Sequence, residues 1–301
     1  MDAANMAGAS WGKRRPWESL RPAVARGFGA VPPPMLVLLG VISLQVGAAF
    51  AKQLFAMAGA NGVVTLRLLF AALVLLVVWR PSLRLDRTTW LVIAAYGAVL
   101  AGMNICLYQA IDRIPLGVAV TIEFLGPLSV AVFGSRRKLD LLWAVLAGLG
   151  VLLLSRVDGG LNPVGVGFAL AAGVLWGSYI LVGGKLGKYT SGGSGLALGM
   201  AFGAVVALPF GITGSGMQLL EPPVLVAGLV VALMSSVVPY SLELEALRRM
   251  PPRVFGVLMS LEPAVAALAG LLVLGEALSA LQWVAIGCVV LASVGSTRSA
   301  Q

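Results

Sequence analysis

Histidine is absent from this chain of 301 residues. Without it, histidine-ligated metal sites and histidine-based nucleophilic triads are excluded, and any proton carrier has to be a carboxylate. Cysteine is almost as scarce. Cys106 and Cys288 both fall inside apolar runs, so both read as small buried hydrophobes and no disulfide is expected. Charge is thin as well, at 11% of residues against 59% hydrophobic, and the mean hydropathy of +0.97 is too high for a soluble globule. No nucleophile sits beside a base, and Gly192, Gly193 and Gly195 lack the lysine of a phosphate-binding loop. The expectation is a protein that is not an enzyme and uses no cofactor and no metal.

What fills the chain instead is apolar helix. Ten runs stand out, at roughly 35–57, 62–80, 90–110, 116–134, 139–155, 165–184, 193–212, 224–246, 254–274 and 279–296. Most have the ~20 residues that cross ~30 Å of hydrocarbon, and the fifth is short. The 38 glycines against 10 phenylalanines suit close helix packing through small residues, whereas barrel strands would alternate. The net charge of +9 comes from basic clusters between the runs, which marks topology and gives no sign of a nucleic-acid partner. Of the 21 basic residues, all but Lys52, Arg67, Arg113 and Arg156 fall on one side, so both termini are expected in the cytoplasm. Residues 1–34 form a basic tail ending at Pro32, Pro33 and Pro34, with no apolar core of a signal peptide, and suit contact with anionic lipid.

Residues 110–127, AIDRIPLGVAVTIEFLGP, recur at 246–263 as ALRRMPPRVFGVLMSLEP, with a constant offset of 136 and six identities, where chance gives roughly one or two. Five runs per copy is an odd number, so the copies must enter the membrane in opposite directions. The fold class expected is therefore all-α integral membrane, ten transmembrane helices as two inverted five-helix repeats, over 35–157 and 158–301. Each copy places a proline deep in a helix, Pro127 and Pro263, and Pro239 does the same in the eighth run. Such a proline frees the carbonyl four residues earlier, a defect that persists in a membrane only when buried in protein or facing a wet cavity. Matching breaks in two halves point to a transporter's substrate site.

Ionisable residues inside the runs are expensive and hence candidates for function. Glu123 and Glu262 lie beside the proline breaks and fall on one helical face in repeat coordinates, offering ligands for an ammonium group or a proton. Lys52, with Gln45 seven residues earlier, and Arg67 suit a substrate carboxylate, or neutralise Glu123; a snorkelling anchor is the plainer reading. Asn104 with Tyr108, and Ser236, Tyr240 and Glu243, form polar stripes that either line a cavity or glue helices. Glu245 is better placed for an ion pair with Arg248 or Arg249, and Trp176 and Tyr179 suit a cavity wall or a core.

The segments LQVGAAFAKQLF (44–55), GVVTLRLLFAAL (62–73), IPLGVAVTIEFLGPLSVAVFGSRR (114–137), VVPYSLELEALRRMP (237–251) and FGVLMSLEPAVAALAGLLVLGE (255–276) resemble the bacterial threonine/homoserine exporters of the EamA branch of the drug/metabolite transporter superfamily. The likeness covers most of 35–297, and the basic tail goes beyond it. It implies ten helices in the inner membrane around a central cavity, and efflux of small amino acids driven by the proton gradient. An exporter of other metabolites or cationic drugs, and a non-transporting scaffold or sensor using the tail, are the alternatives. Oligomeric state is not legible.

Overall fold

A computed structural model describes residues 31–133, 138–154, 160–190 and 193–299. The tail over 1–30 and the basic residues Arg136, Arg137 and Arg156 lie outside these. The described residues are helical throughout, apart from short turns. The first repeat comprises α1 (Pro33–Gln53), α2 (Phe55–Trp79), α3 (Arg87–Ile111), the broken pair α4 (Leu116–Glu123) and α5 (Leu125–Phe133), and α6 (Lys138–Leu154). The second comprises α7 (Pro163–Tyr189), α8 (Ser194–Ser215), α9 (Pro222–Ala232) and α10 (Val238–Arg249) joined by a π turn, the broken pair α11 (Pro252–Met259) and α12 (Glu262–Leu274), and α13 (Ala280–Ser299). Among the described residues, eight helical stretches are long and apolar enough to cross a membrane, and Leu142–Val151 and Ala280–Ser296 are shorter apolar stretches.

Local chemistry sets the boundaries. Asp86 caps α3 by accepting from the Thr89 backbone N–H at 3.1 Å, and Asn162 caps α7 by accepting from Val164 and Gly165. Prolines open α1, α7, α9 and α11, where a missing N–H costs nothing. The expected gap between the first two runs is smaller than the residue pattern suggested: α2 already starts at Phe55 and is interrupted only at Gly59, with φ 58°, a conformation that glycine adopts without a Cβ clash.

The offset of 136 extends far beyond the repeated segment. Gln53 and Tyr189 end their helices 136 residues apart, as do Trp79 and Ser215, while α4 and α11 coincide at both ends. The core is built on α2 against α8, with α3 packed against α7 and α8, and α6 against α13. Small residues permit this closeness. A Cβ on Gly97 would lie 2.4 Å from the Gly199 carbonyl oxygen, and one on Gly203 2.9 Å from that of Gly97, so α3 and α8 meet backbone to backbone.

Candidate functional site

A cavity of about 510 Å³ opens among α1, α2, α3, α4, α5, α7, α10, α11, α12 and α13. Gln45, Arg67, Asn104, Glu123, Tyr240, Glu243 and Glu262 line it between apolar side chains, with Trp176 and Tyr179 on its wall. Six elements thus deliver polar groups to one chamber. A larger groove of about 780 Å³ lies between α5 and α7, but its only polar side chains, Ser129 and Ser178, bond to their own helices, so it offers nothing to a polar solute.

Arg67 is buried, at 3% exposure, and its guanidinium is fixed from three directions. Nε donates to Ser236 Oγ at 2.9 Å, Nη1 to Tyr108 Oη at 3.2 Å, and Nη2 to the Ser235 carbonyl at 2.7 Å. That carbonyl is available because Pro239, four residues on, has no N–H to claim it. The π turn over Leu233–Val237 carries Ser235 and Ser236 together toward α2. Gly47 of α1 admits the turn, since a Cβ there would lie 2.3 Å from Ser235 Oγ.

The break between α11 and α12 does different work. Glu262 is the first residue of α12 and is 3% exposed. Gln45 Nε2, on α1, donates to its Oε1 at 2.9 Å, leaving Gln45 Oε1 and Glu262 Oε2 buried with no partner among the described residues. Ser260 shares a 2.6 Å hydrogen bond with Ser293 of α13, which holds the break in place. At the break between α4 and α5 the freed carbonyl of Glu123 is turned away from the cavity. It abuts Gly173 of α7, where a Cβ would stand 2.8 Å from it, and only the Glu123 carboxyl faces the chamber.

One end of the chamber is sealed. There α4 packs on α12 so closely that a Cβ on Gly117 would lie 2.5 Å from Ala267 Cα. Lys52 Nζ pairs with Glu276 Oε1 at 2.6 Å and donates to the Ile114 carbonyl at 3.2 Å, while Glu276 Oε2 accepts from the Leu116 backbone N–H at 2.8 Å. At the other end, the repeat-related helices α5 and α11 form no comparable packing among the described residues. The cavity lining continues there to Ala131, Leu247 and Phe255, beside Arg248 and Arg249 in the last turn of α10.

The sequence profile of the EamA-like transporter family matches residues 33–156 and again 163–298. This protein belongs to that family. Among curated EamA relatives, threonine/homoserine exporters of Escherichia coli K12 and of Salmonella typhimurium LT2 are each 42% identical over 269 residues, 88% of this chain and 91% of theirs. A solved crystal structure aligns over 94% of the chain and 93% of its own at 20% identity with a TM-score of 0.49.

Within this EamA fold the structure gathers most of the candidate residues and separates one. Gln45, Arg67, Asn104, Glu123, Tyr240, Glu243 and Glu262 share the chamber, and Tyr108 supports Arg67 from behind. Asn104 donates to its own helix at the Leu100 carbonyl, 2.8 Å. Lys52 does not line the chamber, because Glu276 and Ile114 hold it at the sealed end. Glu245 pairs with Arg248 at 3.7 Å, and Cys106 and Cys288 are free thiols that are only half-buried. Glu276 escaped notice because it follows the last apolar residue of its run and reads as a loop acid. Its signal was Gly275, whose left-handed φ of 70° ends α12 and turns the chain back toward α4.

Proposed function

We propose that the protein exports small amino acids of the threonine and homoserine type across the bacterial cytoplasmic membrane. Its ten crossings would form two inverted repeats with both termini in the cytoplasm, so the open end of the chamber faces the cytoplasm and the sealed end the periplasm. The observation that carries this is one chamber holding a fixed guanidinium opposite carboxylates, closed at one end and open at the other. A zwitterion needs both signs of charge, and an exporter loads from inside. The names of the 42% identical relatives point the same way.

Transport would proceed by alternating access, the two repeats exchanging conformations: α11 closes on α5 as α4 parts from α12. Removal of a carboxylate from water favours its neutral form. Glu123 or Glu262 would therefore take a periplasmic proton as substrate leaves and release it to the cytoplasm, which couples export to the proton gradient. Uptake of labelled threonine and homoserine into inside-out vesicles, with and without an imposed pH gradient, tests this. Accumulation against concentration is expected with the gradient. Equilibration to one level regardless of the gradient would leave a facilitator, and Glu123→Gln and Glu262→Gln variants that both kept gradient-driven transport would remove the proton assignment.

One feature favours a second reading. Three carboxylates face a single guanidinium in the chamber, an excess that suits cationic metabolites or drugs. A panel of cationic compounds that the protein makes cells resist, with threonine and homoserine unmoved, would establish it.

A further inference from the structure

We infer that Glu262 and Gln45 form the ammonium subsite of the chamber, and that Arg67 with its remaining N–H groups forms the carboxylate subsite. The inference rests on the amino-acid reading above and deepens it by assigning each end of the solute to named atoms.

Gln45 Oε1 and Glu262 Oε2 are both buried, both on residues that line the chamber, and both without a hydrogen-bond partner among the described residues. Buried acceptors are nearly always paired in folded proteins, so two orphans side by side mark a place where a donor belongs. They are held there. The Gln45 amide is oriented by its own donation to Glu262 Oε1, and the Glu262 backbone is set by the helix break and the Ser260–Ser293 hydrogen bond. Neither side chain can therefore turn easily to satisfy itself. A primary ammonium carries three N–H donors around one positive charge, which suits two converging acceptors of which one belongs to a carboxylate.

The opposite end follows from counting donors on Arg67. A guanidinium has five N–H groups, and Ser236, Tyr108 and Ser235 take three. The planar group is thereby immobilised with two N–H groups left, in a chamber where a carboxylate is the natural acceptor. Lys52, the other cation inside an apolar run of the same half, is committed to Glu276 outside the chamber.

Competition binding on the purified full-length protein tests the assignment without requiring turnover. Labelled threonine is displaced by three ligands: threonine, its hydroxy-acid analogue in which hydroxyl replaces the ammonium, and threoninamide, which keeps the ammonium and loses the carboxylate. Wild type should bind the hydroxy acid about 30-fold more weakly than threonine, the loss expected when a charge-assisted hydrogen-bonded group is removed. In Glu262→Gln and in Gln45→Met that gap should shrink to about fivefold or less, while the gap for threoninamide is kept. If Glu262→Gln and Gln45→Met both bind threonine and retain the wild-type gap, the subsite is wrong while the amino-acid reading stands. If wild type binds neither threonine nor homoserine, the amino-acid reading fails and takes the subsite with it.

Discussion

Breaking the Lys52–Glu276 pair should open the sealed end of the chamber. Glu276 joins the two repeats there: its Oε1 lies 2.6 Å from Lys52 of α1 and its Oε2 accepts from the first N–H of α4 at 2.8 Å. A carboxylate at a helix N-terminus also meets the positive end of the helix dipole. The two side chains are 22% and 17% exposed, so solvent screens part of the attraction. Exposed pairs are worth about 0.2 to 1 kcal/mol, and a hydrogen bond to a charged group about 1.5 to 3 kcal/mol. Glu276→Gln keeps the shape and one acceptor but loses the charge, so the closed end should weaken by about 1 to 2 kcal/mol, a five- to thirtyfold change in the closed-to-open ratio.

At the upper figure, a mouth open about 1% of the time would be open about a fifth of the time. Spin labels at Asp112, in the turn before α4, and Ala277, in the loop after α12, span this mouth and are both exposed. With Cys106→Ser and Cys288→Ser as background, pulsed electron-electron distance measurements should show a longer component in Glu276→Gln and in Lys52→Met. The exchange Lys52→Glu with Glu276→Lys restores opposite charges but leaves the Leu116 N–H facing a cation, so it should recover only part of the closed population. Unchanged distributions in both single variants, in protein that remains folded, would refute the idea that this cluster holds the mouth shut.

Other perturbations probe the same reasoning. Gly117→Val would drive a side chain into the Ala267 backbone, so it should favour the open mouth and lower thermal stability by about 1 to 3 kcal/mol, read from the same spin-label pair and from a melting curve in detergent. Pro239→Ala supplies an N–H that can claim the Ser235 carbonyl and deprive Arg67 of its 2.7 Å acceptor; threonine affinity should fall about tenfold in a binding titration, with the fold retained. Asp86 is held below the ordinary aspartate pKa, first by its hydrogen bond from the Thr89 hydroxyl and then by the Thr89 backbone N–H. A depressed folded value means stability that is present above the unfolded pKa and is lost as pH falls through the folded one. Melting curves should accordingly place Asp86→Ala below wild type at neutral pH, with the difference closing only in acid beyond the ordinary aspartate range.

The order of helices was legible because lipid enforces it: an apolar run of sufficient length has few alternatives, and prolines and capping residues mark its ends. The chamber was legible in its acids, because a carboxylate and a proline together inside such a run have no cheap structural reading. Two things were hidden. Lys52 and Arg67 look alike in sequence, each a lone cation in a long apolar run, yet Arg67 reaches the chamber and Lys52 the sealed end. What separates them is the position of their acceptors, Ser235 and Ser236 on one side and Glu276 on the other, all more than 160 residues away. The fate of the freed carbonyls was hidden for the same reason, since a proline announces that a carbonyl is released but gives no hint whether arginine, glycine or a cavity receives it.

The backbone is doubled while the chemistry is not. At the offset of 136, Arg67 corresponds to Gly203, Glu123 to Met259, Glu243 to Leu107 and Glu262 to Gly126. Two of these counterparts have no room for a charge: a Cβ on Gly126 would come within 1.9 Å of the Gly173 carbonyl oxygen, and one on Gly203 within 2.9 Å of that of Gly97. In the proposed cycle both halves must be able to adopt either conformation, which requires like backbones and matching breaks at Pro127 and Pro263. A single small solute with distinct ends, however, is bound by unlike groups. The first repeat supplies the guanidinium and Gln45, the second supplies Glu262 together with the serines and freed carbonyl that aim Arg67. Each half therefore holds part of the other's binding machinery, and when α4 parts from α12 the groups that grip the solute should separate along with the helices that carry them. Release would then be a consequence of opening.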